Sequence, residues 1–279
     1  MNFNDLKIKA YEIRRQVIVG VSNAGSGHPG GSLSIADILS VLYFDKMNID
    51  PKYPGKPDRD RLVLSKGHAA PAYYGALALR GFFDVTEIKN LRQITSMLQG
   101  HPDMRKTPGV DMSSGSLGQG LSAANGMALN SKHKKLDYCV YVILGDGECQ
   151  EGQVWEAAMT SAHYNLNNII AFIDLNGLQI DGSVKDIMNN ASLIEKFKAF
   201  NWNTIEIDGN EVEQISDAID TAKQSRVKPT AIFCNTVKGK GVSYMENQCG
   251  WHGAAPNKEQ TEIAINEIEQ ALKQLKEVH

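Results

Sequence analysis

The segment from Gly145 to Asn176 constrains the fold of this chain more than any other, because it joins two continuous apolar runs. The first run, residues 139–144, reads CVYVIL, and the second, residues 169–173, reads IIAFI. Short runs rich in β-branched residues are typical of strands that are buried on both faces of a sheet. Residues 153–162, between the runs, carry small apolar side chains at helical spacing. The segment therefore predicts a strand–helix–strand unit with parallel strands.

Polar groups follow each of these predicted strands. Asp146 comes just after the first strand and Asn176 just after the second. Because the carboxyl ends of parallel strands open onto one crevice, we expect the two side chains to face each other. With the backbone carbonyl of Leu178 they form a set of hard oxygen ligands, which suits Mg²⁺, with Ca²⁺ or Mn²⁺ as alternatives. Gly145 and Gly147 leave backbone N–H groups open to a diphosphate, so the segment predicts a metal-bridged diphosphate site.

The rest of the chain continues to alternate strand-like and helix-like apolar spacing. This alternation predicts an α/β fold with a doubly wound, mainly parallel sheet and helices on both faces. We expect residues 1–279 to form one domain, with a helical excursion at the N-terminus and an amphipathic helix at the C-terminus. The other predicted elements are a first helix with an apolar face from Leu6 to Val21, helices at 34–44, 212–222 and 261–277, and strands at 61–64, 202–207 and 230–234.

Charge and composition exclude several classes of function. The net charge is −3 without long runs of one sign, which predicts neither nucleic-acid nor membrane binding. No apolar run reaches the roughly 18 residues of a membrane span, and the N-terminus lacks the pattern of a signal peptide. The four cysteines have no CxxC spacing, so neither a disulfide framework nor a zinc site is expected. These features predict a cytoplasmic protein.

Two glycine-rich segments imitate nucleotide-binding motifs. Residues 25–30 satisfy the pattern G-x-G-x-x-G, but a predicted helix precedes them where a dinucleotide site requires a strand. Pro29 also lacks the N–H group that a phosphate would need. Residues 238–241 lack the spacing of a P-loop. Neither segment therefore predicts a nucleotide site.

Histidines supply the other candidate groups for chemistry. Imidazole suits proton transfer because its ordinary pKa of about 6.5 lies near working pH. Four of the seven histidines lie beside glycine in predicted loops: His28, His68, His101 and His252. The other three are interpreted as surface or core side chains: His133, His163 and His279.

The pattern GDG, followed after about thirty residues by Asn, resembles the thiamine-diphosphate enzymes. The closer resemblance is to transketolases, and it extends from about His28 to His252. It rests on GHPGGSLS, SKGHAAPAYY, GHPD, GSLGQG, GDGECQEGQVWEAA, NNIIAFIDLNGLQIDG, KGKGVSYMEN and WHG, all in family order. The resemblance implies the diphosphate-binding domain of that fold, with thiamine diphosphate and Mg²⁺ as cofactors. It also implies transfer of a two-carbon ketol unit from a ketose phosphate to an aldose phosphate.

The same resemblance assigns roles to individual residues. Ser116 departs from the family pattern, since many single-chain transketolases have proline there, and the role of Asp181 is left open. The implied catalytic residues are His28, His101, His252 and Glu151. The implied cofactor-binding residues are His68, Gly115, Leu117, Asp146, Gly147, Glu148, Asn176 and His252. The implied metal ligands are Asp146, Asn176 and Leu178.

Single-chain transketolases have two further domains after this one, whereas this sequence stops at His279. The resemblance therefore implies a split enzyme, in which a second polypeptide supplies the pyrimidine-binding and C-terminal domains. We expect a heterotetramer of two such chains and two partners, with apolar helices such as Val154 to Ala162 at an interface, and no activity from this chain alone.

Three alternative functions stay open. One is another thiamine-diphosphate enzyme, such as a deoxyxylulose-phosphate synthase or an oxo-acid dehydrogenase subunit, which would accept a 2-oxo acid. The second is a regulator that binds the cofactor without turnover, and the third is a metal-dependent nucleotide binder. The donor and acceptor sugars are not identified by the sequence.

Overall fold

Helices and strands alternate along residues 1–277, the part of the chain that the computed structural model describes. The helices are α1 (Phe3–Ala24), α2 (Pro29–Leu33), α3 (Ala36–Val41), α4 (Ala70–Arg80), α5 (Gly120–His133), α6 (Gly152–His163), α7 (Val184–Ile187), α8 (Leu193–Ala199), α9 (Val212–Lys223) and α10 (Lys258–Glu277). The strands are β1 (Arg61–Leu64), β2 (Val140–Gly145), β3 (Ile169–Leu175), β4 (Leu178–Gln179), β5 (Gly182–Ser183), β6 (Asn203–Asp208) and β7 (Thr230–Asn235). Each strand of the predicted sheet lies within two residues of its predicted bounds.

Five of these strands form one parallel sheet in the order β1-β2-β3-β7-β6. The chain therefore adds three strands in sequence, moves to the far edge and returns to place β7 beside β3. In the register, Gly145 pairs with Asp174 and Leu175 pairs with Asn235. Asp146 and Asn176 thus both follow directly on the carboxyl edge, as predicted. Strands β4 and β5 form a separate antiparallel hairpin over that edge.

The sheet has an apolar core on each face, which confirms the doubly wound α/β fold. Alternate side chains of β2 point to opposite faces, so Tyr141 and Ile143 belong to one core and Val142 and Leu144 to the other. Helices α1, α3, α4, α9 and α10 contribute to the first core, and α5, α6 and α8 to the second. Among the described residues, no helix is both long and apolar enough to cross a membrane.

The predicted helix at 34–44 is wrong in its extent, because α3 covers only Ala36–Val41, a π-helical turn follows at Leu42–Lys46, and a separate short helix, α2, ends just before the predicted start. The break falls at Ser34 and Ile35. The hydroxyl of Ser34 donates to the carbonyl oxygen of Gly31 and to Asp174 Oδ2, at 3.0 and 2.7 Å. A contact with β3 therefore ties down this turn, and no local period in the sequence could indicate it.

The C-terminal helix is present as predicted, but it begins three residues before its expected start at Thr261. Asn257 and Gln260 exchange hydrogen bonds in which each side-chain oxygen accepts the other residue's backbone N–H, both at 2.9 Å. This reciprocal pair is a capping box, which stabilises a helix start. The buried face of α10 packs on α1 through Ala264, Ile268 and Leu272.

The small-residue face of α6 packs inside the chain. Asn125 of α5 donates to the carbonyl oxygen of Ala157 at 2.9 Å and accepts from Ser161 Oγ at 2.6 Å. The buried face of the helix is therefore not available to another chain, since Val154, Ala157, Ala158 and Ser161 pack against α5 and the sheet, while an interface through the opposite face stays a prediction. Met159, on the other face of the same helix, is 52% exposed.

Candidate active site

A cleft of about 390 Å³ lies at the carboxyl edge of the sheet, beneath the β4–β5 hairpin. Its position agrees with the rule that open parallel sheets bind ligands outside the carboxyl ends of their strands. The cleft brings together all twelve residues named as site residues from the sequence: His28, His68, His101, Gly115, Leu117, Asp146, Gly147, Glu148, Glu151, Asn176, Leu178 and His252.

Asp146 and Asn176 are held in the orientation that a metal site requires. Asp146 accepts the backbone N–H groups of Gly147 and Gly177, one on each carboxylate oxygen, at 2.8 and 2.7 Å. The side-chain oxygen of Asn176 accepts the backbone N–H of Leu178 at 3.1 Å. The strand ends and the turn between them therefore hold both side chains in place.

The chemistry of this set fits a divalent cation that also binds phosphate. Burial, and then the negative charge of Asp174, raise the pKa of Asp146 to about 6, so a nearby cation would favour its ionised form. The carbonyl oxygen of Leu178 accepts from the ammonium group of Lys238 at 3.1 Å, so this oxygen already faces a positive charge. Within residues 1–277, no group of three or more His, Cys, Asp or Glu side chains could hold a metal ion. A cation held by Asp146, Asn176 and Leu178 would therefore also need oxygens from a ligand or water, and this site stays a prediction.

The four glycine-flanked histidines form one cluster opposite the acidic groups. The ring of His28 lies 5.3 Å from that of His68, 5.5 Å from that of His252 and 6.4 Å from that of His101. Burial lowers the pKa of all four, to about 4 for His28 and His252. Arg92 adds to this effect at His28, and Lys238 adds to it at His252. These imidazoles are therefore neutral near pH 7 and can both donate and accept hydrogen bonds.

The remaining histidines stand apart from this cluster. His133 ends α5 and is exposed. His163 is also exposed and makes an edge contact with the ring of Tyr164, so it lies on the surface and not in the core. His279 lies outside the described residues. The glycine-rich segment at 25–30 directly follows α1, which agrees with its rejection as a dinucleotide motif.

Glu148 joins three segments at the floor of the cleft. Its carboxylate accepts from Ser65 Oγ at 2.5 Å and from the backbone N–H groups of Gly118 and Gly145 at 2.9 and 3.0 Å. The side chain is 3% exposed, and its burial raises its pKa. Direct contact of Glu148 with a cofactor stays a prediction, while its observed contacts hold the Gly118 loop against the end of β2.

The rim of the cleft contains the predicted residues that face outwards. Glu151 lies immediately before α6 and is exposed, and Leu117 is 36% exposed. A Cβ atom at Gly115 would lie 3.4 Å from the ring of His101, so this loop closely borders the histidine cluster. The roles assigned to these rim residues stay predictions.

Sequence reasoning missed Lys238 as a site residue. Its ammonium group lies 3.0 Å from Nδ1 of His252, in the interior of the cleft. Burial, and then the charge of Lys66, lower the pKa of Lys238 to about 8. The residue lies in the KGKG segment, whose spacing excludes a P-loop but says nothing about other roles. The available signal was the match of KGKGVSYMEN to the family.

Lys66 and Asp174 were also missed, and they form a buried ion pair below the cleft. The ammonium group of Lys66 lies 2.5 Å from Asp174 Oδ2, and the side chains are 2% and 0% exposed. Burial opposes the ionisation of Asp174, but Lys66 and the neighbouring hydroxyl donors outweigh it and lower the pKa of the carboxyl. The signal for Asp174 was an acid at the end of an otherwise apolar strand. For Lys66 it was the position between β1 and His68.

Comparisons with known proteins all point to one family. Residues 7–272 match the family model described as transketolase, thiamine diphosphate binding domain. The chain is 46% identical over 265 residues to the 6-deoxy-6-sulfo-D-fructose transketolase subunit SqwG of a Clostridium species, covering 95% of this chain and 96% of the relative. It is 39% identical over 275 residues to an apulose-4-phosphate transketolase subunit of Phocaeicola vulgatus, covering 99% and 98% respectively.

A solved structure gives the same result for the fold. The chain superimposes with a TM-score of 0.87 and 31% identity on a transketolase from Pichia stipitis in complex with sedoheptulose 7-phosphate. The match covers 99% of this chain but 46% of the Pichia chain, so this chain spans about half the length of that transketolase.

Proposed function

Because this chain belongs to the transketolase family, through its thiamine diphosphate-binding domain, we propose that it uses thiamine diphosphate and Mg²⁺ for reversible ketol transfer. The reaction moves a two-carbon ketol unit from a ketose phosphate to an aldose phosphate. The observation that carries this proposal is the juxtaposition, in one cleft, of hard oxygen ligands on one side and neutral histidines on the other.

The oxygens of Asp146, Asn176 and Leu178 would hold the metal, and the metal would bind the diphosphate. His68 would donate to the diphosphate. The ammonium group of Lys238 lies 3.1 Å from the carbonyl oxygen of Leu178, and its positive charge would balance the negative charge of the diphosphate. The helix that follows, α6, begins at Gly152 and directs its positive end toward this region.

The bound cofactor supplies an electron sink for breaking and forming a carbon–carbon bond. His28, His101 and His252 would orient the hydroxyl groups of the sugar and move protons to and from its oxygens. Their low pKa keeps them neutral, so each ring can accept a proton. Nδ1 of His28 is buried and has no hydrogen-bond partner among the described residues, which supports a role in contacting a substrate hydroxyl.

We propose further that a second polypeptide completes the site. Both bacterial relatives are named as transketolase subunits, and each matches this chain over nearly its whole length. The exposed apolar side chains at the cleft are consistent with a covering partner, with Leu117 36% and Ile180 67% exposed. The proposed assembly contains two copies of each chain, with Glu151 at a contact between subunits.

Calorimetry tests the cofactor proposal. The purified chain is titrated with thiamine diphosphate in the presence of Mg²⁺, with and without its co-expressed partner. A coupled assay then follows ketol transfer from xylulose 5-phosphate to ribose 5-phosphate. We expect turnover only with the partner. Turnover by the chain alone would refute the two-chain proposal, and the absence of cofactor binding in both states would favour a different role.

The choice of donor is tested with the same assay. The two bacterial relatives are named for a sulfonated and a phosphorylated sugar, so the panel includes sulfonated as well as phosphorylated ketoses. Pyruvate serves as the test for the synthase or dehydrogenase alternative. Use of pyruvate in preference to every ketose would exclude a transketolase.

A further inference from the structure

Asp174 connects four segments of the site through one buried carboxylate. It is the penultimate residue of β3 and has no exposed surface. Oδ2 accepts from Ser34 Oγ at 2.7 Å, Lys66 Nζ at 2.5 Å and Asn176 Nδ2 at 2.7 Å, and Oδ1 accepts from the hydroxyl of Thr236. Three donors therefore converge on Oδ2 and one on Oδ1, and all of them come from side chains of this chain.

These donors come from different parts of the chain that all carry site residues. Ser34 follows the helix that begins after His28, Lys66 precedes His68, and Thr236 precedes Lys238. Lys66 also donates to the carbonyl oxygen of Gly31 at 2.8 Å, so the same ammonium group ties the His28 segment to β3. One carboxylate therefore fixes the relative positions of the loops around the cleft.

The contact with Asn176 has a specific geometric consequence. A side-chain amide can rotate and exchange the positions of its oxygen and nitrogen. Here the nitrogen donates to Asp174, and the oxygen accepts from the backbone N–H of Leu178. Because a carboxylate accepts but cannot donate, Asp174 selects the rotamer in which the amide oxygen lies on the Leu178 side, with the other predicted metal ligands.

We propose that Asp174 is the positioning residue of the metal site, acting through the amide of Asn176. This inference rests on the proposed function, since it takes Asn176 as a metal ligand. Outer-shell partners of metal ligands orient them and commonly alter metal affinity when they are replaced. The ammonium group of Lys66 compensates the buried negative charge of Asp174, so the carboxylate can stay ionised inside the protein.

A second buried ion pair offers a matched control. Asp37 is 4% exposed and accepts from the guanidinium group of Arg14 and from Asn210 Nδ2, the latter at 2.9 Å. Like Asp174, it is a buried carboxylate with a cationic and an amide partner. It lies on α3, and its hydrogen bonds go to neither Asn176 nor Lys66. Replacement of either aspartate should lower the stability of the fold, but only replacement of Asp174 should change metal binding.

The experiment measures Mn²⁺ affinity by electron paramagnetic resonance, using the full chain with its partner and saturating thiamine diphosphate. Asp174→Asn keeps the shape of the side chain but removes the negative charge that pairs with Lys66 and weakens the acceptor that Asn176 Nδ2 contacts. We expect Mn²⁺ affinity to fall about 10- to 100-fold for Asp174→Asn. For Asp37→Asn, we expect a lower melting temperature with Mn²⁺ affinity within about threefold of the wild type.

A double-mutant cycle distinguishes an effect of Asp174 on the orientation of Asn176 from a general loss of structure. If Asp174 acts through Asn176, adding Asp174→Asn to Asn176→Ala should change Mn²⁺ affinity by less than about threefold. Fully additive losses, or wild-type Mn²⁺ affinity in folded Asp174→Asn, would overturn the inference while leaving the proposed function intact. Failure of the wild-type protein to bind Mn²⁺ with thiamine diphosphate would overturn both.

A milder pair of variants decides the question if Asp174→Asn does not fold. Thr236→Val removes one hydroxyl donor to Asp174, and Thr230→Val removes a buried hydroxyl at the start of β7 that has no partner among the described residues. We expect Mn²⁺ affinity to fall about three- to tenfold for Thr236→Val, a weaker form of the outer-shell effect. Equal affinities for the two threonine variants would contradict the inference.

Discussion

The two ends of the parallel sheet both contain buried carboxylates, but their partners differ. At the amino end, Arg59 donates to Asp111 at 2.5 Å, and Asp111 also accepts the backbone N–H of Leu62 at 2.9 Å. Asp60 accepts the backbone N–H groups of Asn48 and Cys139, both at 2.8 Å. Every one of these carboxylates is matched by donors of its own chain.

The carboxyl end pairs its deepest carboxylate and also gathers an acid, a lysine and a histidine around one cleft. Lys66 pairs with Asp174, while Asp146 keeps a pKa raised to about 6 and Lys238 a pKa lowered to about 8. Both shifts are caused first by burial. Nδ1 of His28 is buried without a partner among the described residues. Burial raises the pKa of Asp60 as well as that of Asp146, so what distinguishes the carboxyl end is that its shifted groups line a cleft, where they are candidates for contact with a ligand.

Replacing Asp146 should have the largest effect. Asp146→Ala removes the only carboxylate among the three predicted metal ligands. We expect ketol-transfer turnover of the partnered protein to fall by at least about 1,000-fold, on the order of 4 kcal/mol. Steady-state kinetics at saturating Mg²⁺ and thiamine diphosphate measure this loss. Turnover within tenfold of the wild type would remove Asp146 from the metal site.

Replacing Asp111, at the other end, should affect stability instead. Asp111→Ala leaves the guanidinium group of Arg59 buried without its partner, which should lower the free energy of unfolding by about 3 kcal/mol. Denaturant unfolding measures that change. Calorimetry on the folded variant should give a cofactor affinity within about threefold of the wild type. A larger loss of affinity would mean that the two ends are coupled.

Acidification should weaken cofactor binding at the carboxyl end. Protons compete with Mg²⁺ for Asp146, whose pKa of about 6 lies above its ordinary value because of burial and then the charge of Asp174. Mg²⁺-dependent affinity for thiamine diphosphate should therefore be nearly constant above pH 7 and fall about tenfold from pH 7 to pH 5. Calorimetry across pH measures this, with titrations of Mg²⁺ and cofactor in buffer as the blank. A flat profile down to pH 5 would contradict the raised pKa.

The smallest expected effect concerns the pH dependence of stability. The folded protein binds fewer protons than the unfolded chain at His28 and His252 between pH 6.5 and about 4, so these residues lose stability as pH falls through that window. Asp146, with its raised pKa, has the opposite sign between about 6 and 3.8. The double variant His28→Asn, His252→Asn should lose about 2 °C less in melting temperature between pH 7 and 6 than the wild type. An equal or greater loss would contradict the lowered histidine pKa values.

Sequence reasoning recovered much of the site because position along the chain and position in the sheet are linked. Asp146 and Asn176 follow apolar runs, and parallel strands bring their carboxyl ends to one edge. Glycine beside His28 and His252 marked loops that approach the cleft. Asp174, in contrast, lies within a buried run, where an acid has no periodic signature. Its partners are up to 140 positions away in the chain, as with Ser34.

The amino-acid sequence by itself determined the alternation of helices and strands, the polar groups at the strand ends and the family motifs. These features depend on local periodicity and residue type. The tertiary structure decided that β7 inserts between β3 and β6, that the helix breaks at Ser34, and that the small-residue face of α6 packs on α5. It also decided which buried charges are paired. Desolvation and hydrogen bonding depend on neighbours from distant parts of the chain, and no local pattern encodes those neighbours.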